Sequence, residues 1–158
     1  MNNKPYVRLD RDNAVVLLVD HQAGLLSLVR DIEPDRFKNN VLALADAAKF
    51  FNLPTILTTS FETGPNGPLM PELKALFPDA PYIARPGQIN AWDNEDFVKA
   101  IKATGKKQLI IAGVVAEEDR GFGHGVLRRM RGCGHFIING HSLAPSKAPR
   151  NRESPDFL

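Results

Sequence analysis

The stretch that most restricts the fold is Ala14–Val19, six apolar residues in a row that stop at Asp20, His21 and Gln22. A short apolar run with β-branched residues and no alternation suits a strand covered on both faces. Such strands lie in the middle of parallel sheets. In open α/β sheets the chemistry sits beyond the carboxyl ends of the strands. Asp20 is therefore the first candidate functional residue, and the rest of the chain has to supply the groups that complete its site.

The following sequence alternates helix and strand signals. Pro34 can open a helix, because its missing N–H is not needed in the first turn. Phe37, Val41, Leu44, Ala48 and Phe51 then fall at helical spacing on one face. Pro54 lies just beyond its end, and TILTTS (55–60) reads as a second strand ending in small polar residues. Residues 61–68, with two glycines and two prolines, form a loop. A short helix is expected over 69–77, with Pro71 in its first turn. A short strand follows over 81–84 and runs into Arg85, Pro86 and Gly87. Residues 94–104 read as a helix ended by Gly105, and QLIIAGVV (108–115) as the next buried strand. Strands separated by helical patterns imply βαβ units and a parallel sheet.

After Val115 the texture changes. Residues 116–158 hold six of the twelve glycines, three of the four histidines and the single cysteine, Cys133. A helix over 117–131 would carry Gly121, Gly123 and Gly125, each costing about 1 kcal/mol relative to alanine. Residues 134–140 suit a short strand. Residues 142–158 hold three prolines and few apolar residues, and are expected to be disordered. The expected organisation is one domain over 1–141 and a tail over 142–158.

Composition excludes several classes. A net charge of +2 gives no electrostatic case for nucleic acid or an anionic membrane. The arginines at 128, 129 and 131 read as a solvated helix face. No apolar run approaches the roughly 18 residues of a membrane helix. The first residues lack a secretory core, and one cysteine excludes an internal disulfide. A cytoplasmic protein is expected.

AVVLLVDHQAG, TILTTSFETGPNGP, ARPGQINAWDN and KKQLIIAGVV together resemble the isochorismatase-like cysteine hydrolases, and within them a bacterial subgroup of unassigned substrate. The resemblance covers about residues 6–115. It implies a Rossmann-like, three-layer α/β fold with a parallel sheet and a homo-oligomer as the working form. It implies a cysteine that attacks a small amide, imide or related carbonyl, an aspartate base, and a basic residue that completes the triad. Carried over, the base is Asp20. The basic residue is Arg85, where most of the family has lysine. A cis peptide beside the oxyanion hole would fall at Val114–Val115. Gln22 and Trp92 are candidates to line the substrate pocket. No cofactor is implied.

The physical logic stands beside the family name. A thiol needs a base within reach and a cation nearby. Asp20 can take the proton, and Arg85 can hold the thiolate or a developing oxyanion by charge. The chain departs from the family at one place that matters. After GVV the family continues Thr-Glu-x-Cys, whereas this chain reads Ala116-Glu117-Glu118-Asp119. Asp119 occupies the position of the nucleophile. Impaired catalysis is expected, with the family's C-terminal part truncated. A shifted reading frame is one account: codons for residues 126–135 can be chosen so that a register moved by one nucleotide reads as the family's next strand.

Each residue also has a plainer reading. Asp20 could cap a loop, Arg85 could form a surface ion pair, Trp92 could pack, and Asp119 could sit at a helix N-terminus favoured by the dipole. His21 reads as a loop histidine. His124, Cys133, His135 and His141 match no paired-ligand spacing, so no metal is expected. A second functional class is a non-catalytic binding or assembly subunit that keeps the fold for oligomer contacts.

Overall fold

Ala14, Val15, Val16, Leu17 and Leu18 are all fully buried. They form most of β1 (Ala14–Val19), the middle strand of the sheet in a computed structural model that describes residues 8–29, 32–114 and, as backbone, 135–139. Side chains alternate across a strand. Ala14, Val16 and Leu18 accordingly enter one core with Phe37, Val41, Ala45, Ala48 and Leu73. Val15 and Leu17 enter a second core on the opposite face, with Ala91, Phe97 and Ile101. The unbroken apolar run follows from this double coverage.

The helices that supply the coverage are α2 (Pro34–Phe50) and α3 (Pro71–Leu76) on one face and α4 (Glu95–Ala103) on the other. A one-turn helix, α1 (Ala23–Leu26), follows β1. Proline stands at the start of both α2 and α3. Asn94 caps α4 through its side-chain oxygen, which accepts from the Phe97 N–H at 3.0 Å. Asn52, at φ +53°, takes the left-handed position just after α2.

The sheet holds β2 (Thr55–Ser60), β3 (Tyr82–Arg85), β4 (Gln108–Gly113) and β5 (His135–Asn139) in the order β3-β2-β1-β4-β5. β1 pairs in parallel with β2 and with β4, so that Leu17 lies between Ile56 and Ile111. β3 is parallel to β2, and β5 is antiparallel to β4. The chain steps outward from β1 to β3 and then returns to the other side of β1. The carboxyl ends of β1 and β4 therefore flank a topological switch point, where open sheets of this kind place their sites.

The three-layer α/β fold with a parallel sheet is the one expected. Some details differ. The buried face of α2 is Phe37, Val41, Ala45 and Ala48, while Leu44 is only partly buried and Phe51 is the exposed C-cap. A small residue at 45 suits close approach of the helix to the sheet. Arg85 is the last residue of β3 rather than part of the turn after it. β4 ends at Gly113, so Val114 is already a bend. The polar arm before β1 is tied down: Gln108 accepts from the Asp10 N–H at 2.6 Å and donates to the Arg8 carbonyl at 2.9 Å. The atypical segment after Val115, the expected tail and the shifted-frame account lie outside the described residues, apart from the backbone of β5.

Candidate active site

Asp20 follows β1 directly, with φ +58°. This left-handed conformation costs a non-glycine residue roughly 1 kcal/mol. The turn is fixed on both sides: the Asp20 N–H donates to the Thr58 carbonyl at 2.9 Å, and the Gln22 N–H donates to the Asp20 carbonyl at 2.8 Å. Phe61 holds the corresponding place after β2, with φ +51° and its N–H on the Arg85 carbonyl at 2.9 Å. Two strained strand ends thus lie along one edge of the sheet, and strain of this kind clusters at functional sites.

Arg85 ends β3, two strands away from β1. Neighbouring strands are about 4.8 Å apart, so only a long side chain can cross β2 to reach the end of β1. The Arg85 Nε donates to Thr58 Oγ1 at 3.1 Å. Its Nη1 donates to the Gln88 carbonyl, and its Nη2 donates to Asp20 Oδ1 in an ion pair. Thr58 Oγ1 passes the chain on by donating to the Ile83 carbonyl at 2.8 Å. Arg85 is 1% exposed. A buried cation of this kind persists only when paired and hydrogen-bonded, and each of its three nitrogens meets an acceptor.

The Asp20 side chain is the open end of the pair, 15% exposed against 0% for Arg85. Burial pushes the Asp20 carboxyl above the usual range, and the hydrogen bond and charge of Arg85 offset this only in part. A carboxylate shifted upward is a better proton acceptor near neutral pH. The arrangement offers one partly accessible base beside a fixed, shielded positive charge.

The other sequence candidates fall in different places. Gln22 is fully buried, and its amide bonds to the backbone of Ser60 and Gly67. Trp92 packs edge-on against Phe97, with ring centroids 5.7 Å apart, and is partly buried against the second core. His21 lies in the loop between β1 and α1, as read, and is fully buried there, stacked on Phe37 at 6.3 Å. Val114 packs against the first core. Val115, the peptide bond before it and Asp119 lie outside the described residues. Among the described residues no three His, Cys, Asp or Glu side chains gather as a metal site. Thr58 and Gln88 are the residues that sequence reasoning missed. The small polar end of β2 was a signal for Thr58, whereas Gln88 reaches Arg85 through its carbonyl and leaves none.

Known proteins share this fold. The isochorismatase domain matches residues 14–117. The chain is 88% identical over 114 residues to the probable hydrolase YcaC of Escherichia coli K12, covering 72% of this chain and 55% of that protein. The crystal structure of the E. coli YcaC gene product, an octameric hydrolase of unknown specificity, aligns with a TM-score of 0.70 at 88% identity, over 71% of this chain and 55% of that one. YcaC from Pseudomonas aeruginosa, solved with hexane-2,5-diol and covalent acrylamide, aligns with a TM-score of 0.70 at 82% identity over the same shares. The chain therefore spans about half the length of the relatives it matches. The matched region contains β1, Asp20, Arg85 and β4, and on this evidence the chain belongs to the isochorismatase family.

Proposed function

We propose that the chain carries the base and the cation of a hydrolase site for small amide, imide or related carbonyl substrates, with catalysis impaired because Asp119 stands at the nucleophile position. The observation that supports this most is the Asp20–Arg85 ion pair at the carboxyl end of β1. In a complete site Asp20 takes the proton of the attacking thiol. Arg85 stays cationic throughout the working pH range and holds the negative charge that develops. Backbone N–H groups near Val114 and Val115 would bind the oxyanion, and Trp92 would stand on the substrate side. A carboxylate at 119 is a poor substitute for sulfur. Asp20 then has nothing to activate.

The experiment compares the chain with its Asp119→Cys variant on a panel of small amides, imides and isochorismate, with acrylamide as a covalent probe. The expected result is no turnover by the chain as it stands. Acrylamide should label the introduced thiol faster than Cys133, as read by peptide mapping, and Asp20→Asn should suppress that labelling. Turnover that vanishes in Asp119→Ala would overturn the impairment. An introduced thiol as slow as Cys133 would overturn the role of Asp20.

A homo-oligomer belongs to the same reading, supported by the octameric E. coli relative and by the exposed aromatic pair Phe50 and Phe51, in edge contact at 5.0 Å. A non-catalytic assembly subunit is the alternative this favours. Light scattering after size exclusion supports it if a monodisperse oligomer forms without turnover. A cytoplasmic setting suits this reading, and no helix among the described residues is long and apolar enough to cross a membrane.

A further inference from the structure

We propose that Gln22 is a positioning residue whose amide clamps the end of β2 and the loop after it, and through Ser60 and Gln88 sets the Asp20–Arg85 pair. The inference rests on reading Asp20 and Arg85 as the site. It differs from a substrate contact because the amide is already occupied. Nε2 donates to the Ser60 carbonyl at 3.0 Å and to the Gly67 carbonyl, which uses both of its N–H donors. Oε1 accepts from the Ser60 N–H at 2.8 Å.

The pairing with Ser60 has a reason in the sheet. The β1–β2 ladder ends at Val19 opposite Thr58. Beyond it the left-handed turn at Asp20 takes the β1 backbone away, and Ser60 loses a strand neighbour. The Gln22 side chain supplies the missing donor and acceptor. The loop is tied to the same segment at further points. Asn66 donates from Nδ2 to the Ser60 carbonyl at 2.7 Å. The N–H groups of Ala23 and Gly24 donate to the carbonyls of Pro68 and Asn66 at 3.1 and 2.9 Å. A Cβ on Gly24 would lie 2.0 Å from the Pro65 carbonyl oxygen, so the two backbones touch.

From Ser60 the connection reaches the ion pair. Ser60 Oγ donates to the Gln88 carbonyl at 3.3 Å, and the same carbonyl accepts from Arg85 Nη1. Arg85 then meets Asp20, two residues from Gln22, and the circuit closes. Glutamine is the side chain this place requires. Asparagine is shorter by one methylene, and an ionised glutamate would set negative oxygen against two carbonyls.

The test uses Gln22→Met, which keeps the length without hydrogen bonds, and Gln22→Glu. The readouts are the pH titration of the Asp20 carboxyl by carbon NMR and the exchange protection of the Ser60 amide. In Gln22→Met the Ser60 protection should fall about tenfold, the scale of one lost hydrogen bond. The Asp20 titration should move down toward the ordinary carboxylate range as water reaches the pair. In Gln22→Glu a protonated acid can still accept from the Ser60 N–H and donate to one of the two carbonyls, so Ser60 protection should be near native in acid and fall as the introduced carboxyl ionises. A Gln22→Met protein with a lower melting temperature but an unmoved Asp20 titration would overturn the proposal, since a merely structural residue behaves that way. If Gln22→Met does not fold, pH-independent Ser60 protection in Gln22→Glu overturns it instead. Neither readout needs turnover, so failure here is distinct from failure of the hydrolase reading.

Discussion

At the amino edge of the sheet, Gln108 is buried and spends its amide on the backbone of residues 8 and 10. At the carboxyl edge, Gln22 is buried and spends its amide on the backbone of residues 60 and 67. The two clamps are alike, but their surroundings are not. Around Gln108 the ion pair is Arg11–Asp12, at 3.6 Å with side chains 69% and 84% exposed. Around Gln22 lie a shielded arginine, a carboxylate raised by burial, and two non-glycine residues in the left-handed region. One edge holds the chain end in place. The other holds a buried charge pair against the cost of burial, and perturbed buried charges of this kind cluster at functional sites.

Removing the charge at the carboxyl edge should have the largest effect. Arg85→Ala leaves Asp20 without its cation and the Gln88 carbonyl without its strongest donor. A loss of about 3–5 kcal/mol is expected in denaturant unfolding at neutral pH. The matching change at the amino edge is milder. Gln108→Leu keeps the site apolar and gives up two hydrogen bonds to a terminal arm, for a loss of about 1–2 kcal/mol in the same measurement. Equal losses at the two edges would erase the distinction.

The smallest effect is a slope. The folded Asp20 carboxyl binds its proton more tightly than the unfolded one. Its contribution to stability is therefore full below the unfolded carboxylate range and lost as pH rises through the folded value. Relative to Asp20→Asn, the unmodified chain should lose stability over that interval. Unfolding midpoints measured from pH 3 to 7 would show it, and a relative gain would mean that Arg85 outweighs burial. Arg11→Ala should leave the same curves unchanged.

Much of the fold was legible because double coverage leaves its trace in composition: β1 has no polar position to spare. The face of α2 was harder to read. Large apolar letters at 44 and 51 drew the stripe toward themselves, whereas the surface packed on the sheet uses Ala45, and Asn52 turns the chain once Phe51 has left the helix. Asp20 and Arg85 are legible as strand ends and in the family resemblance, and the small polar end of β2 signals Thr58. The rest of their support is not legible. The Gln88 contact is a backbone carbonyl, which any residue offers, and Gln22 acts on a strand end 38 residues away.

Arg85 carries the cation on β3, a strand of four residues at the margin of the described sheet, with one neighbour. Margins open more often than centres. The far end of this strand is pegged by Tyr82, whose hydroxyl donates to Glu62 and lies 3.3 Å from Thr59 Oγ1, with Lys74 over its ring at 6.0 Å. Burial, with Glu62 beside it, pushes the Tyr82 hydroxyl up to about 12, so it keeps its proton and its hold. The cation that faces Asp20 is therefore seated on an outer strand, and it is the bonds of Arg85 to Thr58 and Gln88, with the Tyr82 ties at the other end, that join this margin to the centre of the sheet.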